Sequence, residues 1–354
     1  MSGKIRTVCT ATITDRYMEE LKKYCDLKVA GWIVTGDFLS EEELIKLFHG
    51  AEMIIVEYEE ITRHIIESLT SLKLIVCPRG TPVNIDCQAA AEHGIPVVNT
   101  PGRNANSVAE YVVSSMISIA RQISCADHEV KNGRYLGDPI NDIYAPSDQD
   151  DVVWSLEAED SPFKRYKGYE ITGRTLGFIG FGSVGVRVAE LLKSFEMQYI
   201  AYDPYCPPAL AKKYGVSLVS LEDVMKQSDF VSIHCKVTEE TIGLIGSEQF
   251  KMMRKDAYLI NTARGSIIRQ RDLVEALQAG KIAGAVLDVF WREPLPANHP
   301  LLKMRNVQIT PHIAGASYDV PTCHSRMVMR DVLHYIRNED MEHVYNRKLL
   351  SVSH

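Results

Sequence analysis

Thr175-Leu176-Gly177-Phe178-Ile179-Gly180-Phe181-Gly182-Ser183-Val184-Gly185 is the stretch on which the fold turns. Thr175–Ile179 reads as a strand and Val186–Phe195 as a helix, which puts the last three glycines in a strand-to-helix turn. In that setting Gly180 permits a tight turn, Gly182 lets the backbone approach a diphosphate, and Gly185 lets helix and strand pack closely. Ser183 and Val184 lie in the turn that leads into the helix, whose first N–H groups and positive dipole end suit an anion. Asp203 ends the next strand-like run, 18 residues beyond Gly185. A carboxylate about 20 residues on meets the ribose hydroxyls of a dinucleotide and repels the extra phosphate of NADP. NAD is therefore the expected cofactor.

Outward from this motif, a second α/β series runs from Thr175 to about Thr310, with strand-like runs at Leu176–Ile179, Tyr199–Tyr202, Phe230–His234, Tyr258–Asn261, Ala285–Val289 and Val307–Thr310. Upstream lies a smaller series with the same alternation of apolar runs and amphipathic stretches. Val8–Ile13 reads as its first strand and Leu27–Ala30 as its second. Ser40 with Glu43 makes a capping box for a helix reaching Phe48, and Asp86–His93 is a helix stopped by Gly94. Between the two series, residues 105–135 read as one long helix, with Val108, Val112, Met116, Ile119 and Ile123 at three- and four-residue steps. Residues 137–163 carry eight acidic residues and no Lys or Arg, and read as a loop: a solvated surface, a lid or an interface element. A last amphipathic helix covers Pro321–Ile336.

With 354 residues the chain has room for two ordinary domains. Apolar residues at 45% and charged residues at 24% supply a real core and exclude a disordered or fibrous chain. Lys and Arg number 39 against 46 Asp and Glu, a net charge of −7 with no basic tract. Nucleic acid and anionic membrane surfaces need concentrated positive charge, so neither is expected as a partner. The opening Met1–Tyr17 lacks the apolar core of a secretory signal, and no stretch reaches the roughly 18 apolar residues of a membrane span. A cytoplasmic location is expected. The eight cysteines are scattered singly, without C-x-x-C or H-E-x-x-H spacing, so no metal is expected.

Reducing a 2-oxo acid requires a cation for the carboxylate, a proton donor for the carbonyl oxygen, and a group that tunes the donor. Arg264, in Asn261-Thr262-Ala263-Arg264-Gly265, follows a strand-like run and so sits at a carboxyl edge, where ligands of open α/β sheets bind. Its guanidinium offers a carboxylate two parallel charge-assisted bonds. His312 follows Val307–Thr310 and Pro311, and Glu293 follows a third strand. A carboxylate within about 4–6 Å of an imidazole favours imidazolium, typically by about 1–3 pKa units, and such a histidine can donate or accept a proton.

The segments GFIGFGSVG at 177–185, HCKVTEETIGLIG at 234–246, INTARG at 260–265, LVEALQAGKIAGAVLDVF at 273–290, TPHIAGAS at 310–317 and NTPGRNANSVAE at 99–110 carry a specific likeness. In order and spacing the chain resembles the D-isomer-specific 2-hydroxyacid dehydrogenase family, close to its phosphoglycerate dehydrogenase-like branch. The resemblance implies an α/β fold of two Rossmann-like or flavodoxin-like domains with parallel sheets. A cofactor domain, 105–319, would be inserted into a discontinuous substrate domain, 1–104 plus 320–354. It implies NAD-dependent interconversion of a D-2-hydroxy acid and its 2-oxo acid: phosphoglycerate, glycerate/hydroxypyruvate or a related substrate.

Arg264 would bind the substrate carboxylate, and Glu293 with His312 would form the acid/base pair. Asp288 would contact the nicotinamide amide, and His234, Cys235, Thr241, Thr262, Ala263 and Gly315 would line the cofactor site. Of these, His234 reads as a bridge between strand and loop beside the adenosine half. Arg79, the backbone of Gly80 and Thr81, and Asn104 would hold the substrate. Arg79 and Arg103 have two readings, an anion-binding pair or solvated surface. Glu293 stands where a formate-oxidising branch has glutamine, so formate is not expected. The family further implies a homodimer through the cofactor domain. The same fold also serves NAD(H)-sensing, corepressor-like binding proteins, the alternative to an enzyme.

Overall fold

Parallel strands joined by helices build two separate sheets in the computed structural model, which describes residues 4–144 and 160–350. The chain divides into two compact units: the residues up to Asn104 together with those from Ala316, and Ala105–Gly315.

In the first unit β1 (Ile5–Cys9), β2 (Cys25–Val29), β3 (Met53–Ile55), β4 (Leu74–Val76) and β5 (Val97–Val98) lie in the order β2-β1-β3-β4-β5, all parallel. Successive strand residues point to opposite faces, and both faces are apolar because helices cover both. Ile54, Val56, Ile75 and Val97 enter one core; Met53, Ile55, Leu74, Val76 and Val98 enter the other. Val328, Met329 and Val332 of the helix Val320–Ile336 close that second core, which is why this late helix belongs to the first unit. Ser40 and Glu43 form the capping box, with Ser40 N–H donating to Glu43 Oε2 at 2.8 Å. The first strand differs from expectation. Its pairing begins at Ile5 and ends at Cys9, and Ala11 and Ile13 are buried in the loop that follows.

The second unit holds β6 (Thr175–Ile179), β7 (Gln198–Tyr202), β8 (Val216–Leu218), β9 (Phe230–Ile233), β10 (Tyr258–Asn261), β11 (Gly284–Leu287) and β12 (Val307–Ile309). Their order is β12-β11-β10-β9-β6-β7-β8, again all parallel. Leu176, Phe178, Phe230, Ile260 and Val286 enter the core on one face; Ile179, Val231, Ile233, Leu259 and Leu287 enter the other. The short edge strand β8 gave no apolar run to read. The long helix read over 105–135 is two helices, Ala105–Ala120 and Ile123–Lys131. Tyr169 N–H donates to the Ala120 carbonyl at 2.9 Å, and Gln122 adopts φ +55°, so the helical ladder stops there. Most of the acidic stretch 137–163, residues 145–159, lies outside the described residues. Among the described residues no helix is long and apolar enough to cross a membrane.

Candidate active site

Strand order reverses between β6 and β9, and an open sheet leaves a crevice outside the carboxyl ends of its strands at such a point. The glycine turn lies there. Gly180 has φ +87°, and a Cβ on it would come within 2.6 Å of the Cys235 backbone nitrogen, so no other residue fits. Gly185 packs against Phe181, whose ring a Cβ would meet at 3.0 Å. Gly182 is different: a Cβ there would meet nothing within 4 Å. This open space faces the start of the helix Ser183–Leu191, where Ser183, Val184 and Gly185 carry first-turn N–H groups without partners inside the helix. Asp203, just past β7, accepts the N–H of Phe181 at 2.8 Å and of Tyr205 at 2.9 Å, which fixes its carboxylate beside the turn.

Other residues of the expected cofactor site fall along the same carboxyl edge. Thr262, just past β10, has a buried hydroxyl without a hydrogen-bond partner among the described residues. The open space at Gly182, the helix start and this orphaned hydroxyl fit a dinucleotide. His234 ends the β9 segment, its Nε2 2.9 Å from Ser232 Oγ, and burial pushes its pKa down to about 4, so the ring is neutral at neutral pH. Burial also pushes the Cys235 thiol up to about 11, which leaves it protonated and unreactive. The Thr241 hydroxyl is committed to its own loop, accepting from Thr238 N–H and donating to Lys236 O, each at 2.7 Å.

Asn261 is fully buried and builds the turn that presents Arg264. Its side chain accepts from Ala263 N–H at 3.0 Å and donates to Arg264 O at 2.9 Å. The turn sits directly on the segment after β11, since a Cβ on Gly265 would lie 2.2 Å from the Phe290 carbonyl carbon. From that segment Glu293 reaches His312, with Oε2 2.7 Å from Nδ1, while Oε1 accepts Phe290 N–H at 2.9 Å. Burial alone would raise the Glu293 pKa, but His312, the Phe290 N–H and the Arg264 charge outweigh it and hold the carboxyl below its ordinary range. An ionised carboxylate only accepts, so Nδ1 carries the proton of this contact. Nε2 makes no hydrogen bond among the described residues, and the imidazole is 43% exposed. Arg264, Glu293 and His312, drawn from three connections, thus share one edge.

Asp288, expected to contact a nicotinamide amide, is tied into the loop that carries His312. Its carboxylate is fully buried and accepts from Thr310 Oγ1 at 2.6 Å and from the N–H groups of Ile313 and Ala314 at 2.8 Å each. Gly315 follows at the end of this loop. Tyr111, on the helix Ala105–Ala120, hydrogen-bonds Thr310. Neither Tyr111 nor Thr310 was singled out from the sequence. Thr310 lay unremarked inside TPHIAGAS, and Tyr111 falls between the apolar positions that defined its helix.

In the first unit, Arg79, Gly80 and Thr81 follow β4, and Asn104 ends the loop after β5. Gly80 O accepts from the Asn99 amide at 2.7 Å, and Arg79 lies over the Tyr58 ring at 5.4 Å without an acidic partner among the described residues. Arg103 is matched internally: its guanidinium meets Glu57 Oε1 at 3.3 Å and His324 Nδ1 at 2.9 Å. Its side chain is 21% exposed, so it is not the fully solvated surface group of the second reading.

The comparisons with known proteins agree with this geometry. The family model described as D-isomer specific 2-hydroxyacid dehydrogenase, NAD binding domain, matches residues 113–314. The glyoxylate reductase of Korarchaeum cryptofilum is 34% identical over 350 residues, covering 99% of this chain and 98% of that protein. The D-3-phosphoglycerate dehydrogenase of Archaeoglobus fulgidus is 35% identical over 309 residues, 87% of this chain and 54% of that one, so this chain spans about half of that relative. Among solved structures, the PH0520 protein of Pyrococcus horikoshii OT3 matches with a TM-score of 0.75 at 25% identity, covering 99% of this chain and 97% of that one. Fold and family model together define an NAD(H)-dependent oxidoreductase of 2-hydroxyacid/2-oxoacid chemistry. The chain belongs to the D-isomer-specific 2-hydroxyacid dehydrogenase family, close to its phosphoglycerate dehydrogenase-like branch.

Proposed function

We propose that this chain interconverts a D-2-hydroxy acid and its 2-oxo acid, with Arg264 holding the carboxylate and the His312–Glu293 pair moving the proton. The contact of 2.7 Å between His312 Nδ1 and Glu293 Oε2, on the sheet edge that also bears the glycine turn, carries the reading. In reduction the imidazolium gives its Nε2 proton to the carbonyl oxygen as that oxygen gains charge; in oxidation the neutral Nε2 takes the hydroxyl proton. Glu293, held ionised, steadies the charged ring and its tautomer. The bound dinucleotide supplies or accepts the hydride at nicotinamide C4. Asp203 favours NAD over NADP by repelling a 2′-phosphate. In the first unit Arg79, Gly80, Thr81 and Asn104 are assigned to the rest of the substrate.

Two charge-assisted bonds from a guanidinium contribute about 1.5–3 kcal/mol each. Arg264→Ala is accordingly expected to lower kcat/KM for the 2-oxo acid by at least about 100-fold, with NADH affinity changed by less than about twofold. An unchanged kcat/KM would remove Arg264 from this role. The reading as a whole is tested by NADH consumption against glyoxylate, hydroxypyruvate, pyruvate, phosphohydroxypyruvate and 2-oxoglutarate. One of these should be turned over well above the rest. Silence across all five, with NADH still bound, would overturn it in favour of a nucleotide-sensing protein.

The same reading takes the chain as a homodimer through the cofactor domain. The helix Ile123–Lys131 supports this, because it buries none of its residues and exposes Ile123 and Val130. Sedimentation equilibrium at micromolar concentration should give twice the chain mass, and a single-chain mass would refute the assignment.

A further inference from the structure

His312 lies in the left-handed region at φ +58°, uncommon for a non-glycine residue, and hydrogen bonds from outside the residue hold its loop in place. Asp288 makes four contacts with that loop. Its backbone carbonyl accepts His312 N–H at 2.8 Å, and its carboxylate takes the Thr310 hydroxyl and the N–H groups of Ile313 and Ala314. The Thr310 hydroxyl has one proton, and that proton goes to Asp288; toward Tyr111 it can only accept. The direction of the chain is therefore fixed. Tyr111 O–H donates to Thr310, Thr310 O–H donates to Asp288, and Asp288 holds the residues on both sides of His312. Such serial hydrogen bonds polarise one another when shielded from water. The anchor is firm, since Tyr111 packs against the core between its helix and the sheet.

We propose that Tyr111, acting through Thr310 and Asp288, is a positioning residue that sets the His312 imidazole against Glu293. The proposal rests on the proton-transfer role argued above for His312. It assigns Asp288 a task distinct from contact with nicotinamide, and it gives the helix Ala105–Ala120 a part in catalysis. The charged group in contact with His312 is Glu293, from the segment after β11, whose carboxylate also feels the charge of Arg264 from the turn after β10. A displaced loop changes the imidazole's distance to Glu293.

The test uses the full-length protein with Tyr111→Phe, Thr310→Val and, as the conservative variant, Thr310→Ser. Four quantities are read: kcat and KM on a 2-oxo acid that the wild type reduces, NADH affinity, and the titration midpoint of the His312 ring by histidine NMR without substrate. Tyr111→Phe and Thr310→Val should lower kcat about 5- to 30-fold, because small misplacements of reacting groups are costly. KM and NADH affinity should stay within about twofold. The His312 midpoint should move in both variants, and Thr310→Ser should restore both kcat and midpoint. Unchanged kcat with an unmoved midpoint would overturn the proposal. So would a loss of kcat that follows thermal stability alone and is not rescued by serine. The NMR readout needs no turnover, so a protein inactive on every 2-oxo acid would sink the catalytic reading while the midpoint still judged the relay.

Discussion

His312→Ala should lower kcat by about 1,000-fold while leaving NADH affinity within about twofold of the wild type. A positioned general acid contributes on the order of 100- to 10,000-fold, and among the described residues of the second unit no other titratable group pairs with an acid on this edge. His234 lies on the same edge but is kept neutral by burial and pairs with Ser232 rather than with an acid. Cys235 is held protonated. The substitution should also be structurally mild. The imidazole is 43% exposed and makes one side-chain bond, to Glu293, so its loss removes little buried surface. Steady-state kinetics and fluorescence titration of NADH separate the two effects. A variant that keeps more than about a tenth of wild-type turnover would exclude His312 as the proton donor, and equal loss of NADH binding would show that the site had collapsed.

The alternation of parallel strands with helices was legible because the central strands bury both faces and so read as short apolar runs. Phe230–Ile233 and Tyr258–Asn261 are examples, recognised nearly to the residue. The glycine turn was legible for a related reason: close backbone at Gly180 and the Phe181 ring at Gly185 leave no room for a side chain, and that exclusion is written in residue type. Arg264, Glu293 and His312 could be read because each follows a strand and thus comes to a carboxyl edge. What could not be read depends on hydrogen bonds between distant segments. The end of the helix at Ala120 is set by Tyr169, 49 residues on, and nothing near Gln122 announces it. Asp288 was legible as a site residue by likeness, yet its partners, three donors from the 310–314 loop, follow from tertiary placement alone. The contacts of Arg103 with Glu57 and His324 likewise follow from tertiary placement, since the partners lie 46 and 221 residues away.

The same small change at two glycines should fail in opposite ways. Gly265→Ala puts a methyl group 2.2 Å from the Phe290 carbonyl carbon and 2.6 Å from the Trp291 nitrogen, both backbone atoms that cannot swing aside. Overpacking of this kind costs about 1–3 kcal/mol, or a fall of about 3–10 °C in thermal midpoint for a unit of this size. The segment forced away carries Glu293, and the residue before the glycine is Arg264, so kcat/KM should also drop by about 100-fold. Gly182→Ala has no such conflict. Its φ is −95° and a Cβ meets nothing within 4 Å, so the thermal midpoint without dinucleotide should stay within about 1 °C. The methyl group instead fills the space through which a diphosphate would reach the first-turn N–H groups, and NADH affinity should fall at least about tenfold. Calorimetry of the two variants with and without NADH distinguishes the roles, because bound ligand raises the midpoint only where it still binds. Normal NADH stabilisation of Gly182→Ala would mean that the diphosphate does not pass that glycine, whereas a stable, fully active Gly265→Ala would break the link between the arginine turn and the Glu293 segment.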